Sequence, residues 1–240
     1  MEDMQEDDLD SEDIDIISGH RQRVKSRFLN NNHNKNTTYD DYELLEMLLF
    51  YTIPRRDVKP LAKSLLQKYG NLATIISTPK ENLLQNKGVS ENTVCLLQLV
   101  KASNIQILKK SISNSSVIKN WQNLMDYCFA KIAYEKKEVF HVVYLNVRNT
   151  IIADEILMEG SINSITVYPR EIIARCLDLR ASSVIIIHNH PSGKPDPSSE
   201  DIEITNALNQ ALTSINVKLH DHVIIAMEGI TSFKNLGLLR

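Results

Sequence analysis

Near residue 139 the spacing of apolar residues changes, and with it the kind of fold the chain can adopt. Upstream, apolar side chains recur three and four apart, as in Tyr42, Leu45, Leu48 and Leu49, the pattern of an amphipathic helix. Similar patterns cover 57–69 and 71–76. A run opening at Ser90, a residue suited to capping a helix N-terminus, carries Val94, Leu97 and Val100 as one stripe. Gly70 and Gly88 are natural stops. Residues 18–108 therefore predict a small all-helical domain. Downstream, after one more helical pattern at Trp121–Ala133, Val139–Val147 is rich in β-branched and aromatic residues. Thr150–Leu157 reads as its hairpin partner across Arg148–Asn149. A helix over Glu171–Leu179 follows Pro169, then a short apolar strand, Ser183–Ile187, of the kind buried on both faces. A loop punctuated by Pro and Gly leads to a helix from Ser198 to Leu212, and Val217–Ala226 supplies a last strand. This order predicts an α/β domain over 121–240, with a central mixed sheet and flanking helices. The polar, Ser-rich stretch 109–120 reads as a linker.

Charge is uneven. Residues 1–17 hold nine acidic side chains and no Lys or Arg, so the remainder carries 27 basic against 21 acidic residues. A like-charged block with little apolar surface predicts a disordered tail. Cys95, Cys128 and Cys176 are few and far apart, which argues against a disulfide scaffold or a cysteine metal cluster and fits a reducing cytoplasm. No apolar run approaches the ~18–20 residues of a membrane span, so no membrane partner is expected.

The segment IIIHNHPSGKPDPSSEDIEIT carries the chemistry. His188 and His190 stand two apart at the end of a strand, so alternation points both imidazoles to one side. Asp201 lies one turn into a helix whose N-cap is Ser198. Two neutral imidazoles and a carboxylate suit Zn²⁺ and leave a fourth position for a water that ionises near neutral pH. Ser198-x-x-Asp201 also fits a capping box, which would only satisfy backbone N–H groups. A bare H-x-H pair is a weak signal, since His220 and His222 repeat it in a strand.

The full spacing, His188-x-His190-x7-Ser198-x2-Asp201, matches the JAMM motif of MPN-domain metalloproteases, and HNHPSGKPDPSSED resembles the RadC family, the bacterial branch of that fold. The likeness extends to DYELLEMLLFYTIPRRDVKPLAKSLLQKYG, to YPREIIARCLDLRASSVIIIHNHPSG and to LHDHVII, covering roughly 19–240. The resemblance implies a C-terminal MPN domain with a zinc site held by His188, His190 and Asp201. It further implies that Ser198 hydrogen-bonds the developing oxyanion and that an upstream Glu acts as general base in hydrolysis of a peptide or isopeptide amide. Glu138, at the start of the first strand, is the choice for that base; Glu155 and Glu159 in the hairpin partner are the other candidates. Asn189 stands where many JAMM proteases have Ser or Thr, and it either orients a ligand or stabilises the turn. His222 reads as a buried supporting histidine, because the ligand set is complete without it. The protein or peptide substrate has no readable code.

The RadC resemblance also implies a helix-hairpin-helix-like N-terminal domain and, as an alternative function, a DNA-associated repair or recombination factor with a structural or accessory metal. NKGVSENTVCLLQLV is the nearest hairpin, with only Gly88 at its turn. Arg21, Arg23, Lys25, Arg27, Arg55, Arg56, Lys59 and Lys63 either face phosphates or are solvated helix faces. Tyr42, Phe50 and Tyr51 read as core.

Overall fold

The computed structural model describes residues 11–31, 38–112, 116–117, 119–160 and 169–239. They form two compact units, 1–101 and 102–240, with the division falling inside one helix.

Among its described residues the regular elements of the first unit are all helices: α1 (Ser11–Asn31), α2 (Asp41–Thr52), α3 (Lys59–Tyr69), α4 (Leu72–Ser77), α5 (Lys80–Leu84) and the first half of α6 (Glu91–Ile112). Sequence-local signals start several of them. Asp40 accepts the Glu43 N–H at 2.8 Å, Asn71 that of Thr74 at 2.8 Å and Ser90 that of Thr93 at 3.3 Å, satisfying donors that helix geometry leaves orphaned. Gly70, at φ +88°, ends α3. Leu45, Leu49, Leu65, Ile75, Leu83 and Leu97 are fully buried at the centre.

Three expectations change here. Residues 11–17 belong to α1 rather than to a disordered tail; residues 1–10 lie outside the described residues. Arg21 is not a surface cation. Its guanidinium donates to the carbonyls of Phe50 (3.2 Å), Ile53 (2.6 Å) and Arg56, so it closes the C-terminus of α2. Tyr51 is 65% exposed, with the Lys25 ammonium 5.0 Å over its ring, whereas Phe50 is buried.

The second unit is α/β, as the periodicity predicts. α7 (Trp121–Ile132) precedes the hairpin β1 (Glu138–Leu145) and β2 (Ile151–Gly160). α8 (Pro169–Leu179), β3 (Ser183–Asn189), α9 (Ser199–Thr213), β4 (Lys218–Ala226) and β5 (Gly229–Ser232) follow. The sheet order is β2-β1-β3-β4-β5, with β3–β4 parallel and the other pairs antiparallel. One face packs on α8 and α9 through Phe140, Val142, Ile172, Ile186, Leu208 and Ile224. The other packs on α7 through Leu124, Cys128, Val143, Ile185, Ile187 and Val223. β3, read as buried on both faces, has every residue buried.

The stretch 109–120 is not a free linker: α6 runs to Ile112, and Ile112 and Val117 are buried in the second core. Its polar composition masks two anchoring side chains. Among the described residues no helix is long and apolar enough to cross a membrane.

Candidate metal centre

β3 delivers His188 to the sheet face that packs on α8 and α9, and His190 follows just past the strand's end. α9 brings Asp201 in its first turn. The three side chains, adjacent only in the fold, place one potential ligand atom each within 4.8 Å of the others, the one such cluster found among the described residues. His188 Nε2 lies 3.0 Å from His190 Nε2 and 3.1 Å from Asp201 Oδ1; His190 Nε2 lies 3.4 Å from Asp201 Oδ2.

The capping box and the candidate carboxylate ligand are one device. Ser198 Oγ accepts the Asp201 N–H at 3.1 Å, while the Ser198 N–H and hydroxyl donate to Asp201 Oδ2 at 2.8 and 2.7 Å. The helix cap and the candidate ligand atom therefore belong to one residue, Asp201, whose Oδ1 the cap leaves aimed at His188. The hydroxyl proton of Ser198 is engaged by Asp201.

Ring protons can be assigned from the partners around the site. Thr205 Oγ1 donates to the Asp201 carbonyl (2.5 Å), which can only accept. Its single proton spent, Thr205 must accept from His222 Nδ1 (2.5 Å). Burial, then the neighbouring His188, pushes the His222 pKa well below the ordinary range, so this ring is neutral and its Nε2 is an acceptor. That nitrogen lies 2.8 Å from His188 Nδ1, which must then donate, leaving His188 Nε2 as a bare lone pair. Likewise His190 Nδ1 donates to the Lys194 carbonyl at 3.0 Å and leaves its Nε2 bare. With both rings neutral, two lone pairs and a carboxylate therefore face one another. Such a donor set is repulsive unless a cation, or failing that a proton, sits at its centre. The chemistry of the residues fits a divalent cation.

The electrostatics agree. Burial opposes ionisation of Asp201, but the facing His188 and His190 rings and the Ser198 hydroxyl outweigh it and hold the carboxyl well below the usual range. The same contact, against the opposing effect of burial, raises the His190 pKa: the carboxylate favours positive charge where a cation would sit. Phe140 stacks on His188 (6.2 Å between centroids, 10°) and Phe233 on His222 (4.6 Å, 22°), walling the imidazoles from solvent.

Glu138 opens β1, half-buried. β1 pairs with β3 so that Phe140 faces His188; two residues earlier, Glu138 lies on the same face, towards His190. Burial pushes its carboxyl up, partly offset by the positive influence of His188. Glu155 is held elsewhere, in a bidentate pair with Arg175 of α8 (2.6–3.0 Å). The side chain of Glu159 lies outside the described residues. Thr205 escaped the sequence reading, although it sits four residues after Asp201, on the same face of α9, a spacing that could have found it.

Comparison with known proteins adds two findings. A sequence profile for the RadC-like JAB domain matches residues 118–238. A UPF0758 protein of Ruegeria pomeroyi is 40% identical over 223 residues, covering 93% of this chain and 98% of that relative.

Proposed function

This chain belongs to the RadC family of JAB-domain proteins, and on that premise we propose that it is a zinc-dependent hydrolase of the JAMM type, acting on a peptide or isopeptide amide. The observation that carries the reading is the convergence of two bare imidazole nitrogens and one carboxylate, with the ring protons held outward by His222 and Lys194.

His188, His190 and Asp201 hold the metal in this reading. When bound, zinc supplies a Lewis acid that acidifies water and polarises a carbonyl near neutral pH. Glu138 takes the proton of the attacking water and returns it to the leaving amine. A carboxyl raised by burial is a better base for that task than an exposed one. Ser198 orients Asp201, and on turning its hydroxyl proton away from that carboxylate it donates to the oxyanion. Three free cysteines suit a cytoplasmic location. The nucleic-acid alternative draws less support: Arg21 is consumed in closing α2, and the N-terminus of α6 already holds Ser90 as its cap and Glu91 paired with Lys80 at 2.8 Å.

Metal analysis tests the reading. The purified chain should carry one zinc, Asp201→Ala should lose it, and Glu138→Gln should retain it while losing turnover. Stoichiometric zinc in a His188→Ala/His190→Ala double variant would overturn the assignment.

A further inference from the structure

Asn189 sits between the two histidines yet points the other way. Strand alternation sends His188 and His190 to the α9 face and Asn189 to the α7 face, where it is fully buried. Its amide is spent on one short stretch of backbone fifty residues away in sequence. Asn189 Oδ1 accepts the Val139 N–H at 2.7 Å, and Nδ2 donates to the carbonyls of Lys137 and Glu135, both at 3.1 Å. Two of these bonds flank Glu138 directly. The partners fix the orientation of the amide, since only an oxygen can receive an N–H and only an NH₂ can serve two carbonyls.

These bonds lie on the β3 side of β1, ahead of its ladder with β3; on the other side Glu138 and Val139 pair with Gly160 and Glu159 of β2. Glu138 is the first residue of the strand, and the β1–β3 ladder begins only at Phe140. Residues 135–137 connect α7 to β1 outside any regular element, and the carbonyls of Glu135 and Lys137 take hydrogen bonds from the Asn189 side chain. Asn189 supplies three hydrogen bonds from its side-chain amide, at the position between the two histidines. The backbone that carries Glu138 is thereby tied to the segment that carries the metal ligands.

We infer that Asn189 is a positioning residue: it fixes the backbone on either side of Glu138 and so sets the placement of that carboxylate relative to the metal held by His188, His190 and Asp201. The inference rests on the hydrolase reading above. A supporting shell of this kind is what holds a reactive group in productive geometry.

The test places Glu138 directly, using full-length protein loaded with Co²⁺ and labelled with ¹³C at glutamate carboxyls. The Glu138 signal is identified by its loss in Glu138→Gln. In the wild type Co²⁺ should shift and broaden that signal and also that of Glu200, which sits on α9 and makes no contact with Asn189. Asn189→Ala and the isosteric Asn189→Asp should each keep one Co²⁺ per chain and the full effect on Glu200. Both should weaken the effect on Glu138 and let the Val139 amide exchange at least about tenfold faster. An unchanged Co²⁺ effect on Glu138 in either folded variant overturns the inference and leaves the hydrolase reading standing. Failure of the wild type to take up Co²⁺ would remove that reading, and the inference with it.

Discussion

Thr205 has a single hydroxyl proton, and its destination settles the protonation of two imidazoles beyond it. Because the Asp201 carbonyl claims that proton, His222 must donate from Nδ1 and His188 from its own Nδ1, which frees the Nε2 that faces Asp201. Thr205→Val removes the anchor and lets His222 adopt either tautomer. Zinc affinity should fall about 10–100-fold, measured by competition with a chromophoric chelator, with the fold retained. His222→Phe should fall in the same range, because Phe233 and Phe140 can pack against a phenyl ring while His188 loses its partner. His222 was legible in the sequence as a supporting histidine; for Thr205 the i+4 spacing from Asp201 marked the shared helix face, but not the His222 ring that lies opposite.

At the level of elements, two joints are exposed to test. The first is the N-terminus of α9, where the capping box and the ligand coincide. Ser198→Ala should cost about 1 kcal/mol of stability and weaken zinc binding in parallel; loss of one without the other would separate the two roles. The second is a buried ionic knot joining α6, α7, β1 and β2. Asp154 accepts from Lys131 (2.6 Å), Tyr127 (2.7 Å) and Lys109 (2.8 Å), and His141 Nε2 lies 3.4 Å away. Burial opposes ionisation of Asp154, but hydrogen bonds from His141, Lys109, Lys131 and Tyr127 win and depress its pKa; burial also lowers that of His141. Both folded values lie below the unfolded ones, so both groups contribute fully above about pH 6.5. Stability should then fall with acidification, His141 acting below about pH 6.5 and Asp154 below about pH 4. Asp154→Asn should cost about 3–5 kcal/mol at neutral pH and flatten the acid limb of a urea-denaturation series. Long elements were legible from their period. α5 and β5, of five and four residues, were too short to show one.

For the whole molecule, the two separate cores give a metal bound at His188, His190 and Asp201 a local reach. A ligand that binds only the folded state stabilises by mass action, about 2.7 kcal/mol at a hundredfold excess over Kd. Chelation should therefore lower the thermal transition of the 102–240 unit and leave that of the 1–101 unit in place, as followed by calorimetry and by hydrogen exchange in α3 and β3. Equal shifts in both units would show that the site's influence is not confined to its own core. The division itself fell elsewhere than composition suggested, inside α6 rather than in the Ser-rich stretch after it, because two buried apolar residues outweigh many polar neighbours.

The amino-acid order alone determined what depends on neighbours along the chain: helical and strand periods, the N-caps, two histidines on one side of a strand end, and a Ser–Asp pair in one helical turn. Each needs only a few adjacent dihedrals to be in place. Tertiary structure alone decided which remote groups meet them. The approach of Glu138, the His222–Thr205 relay and the Asn189 staple all depend on strand register and on which helix covers which face. Those are set by burial summed over the whole core, a quantity that no short stretch of sequence contains.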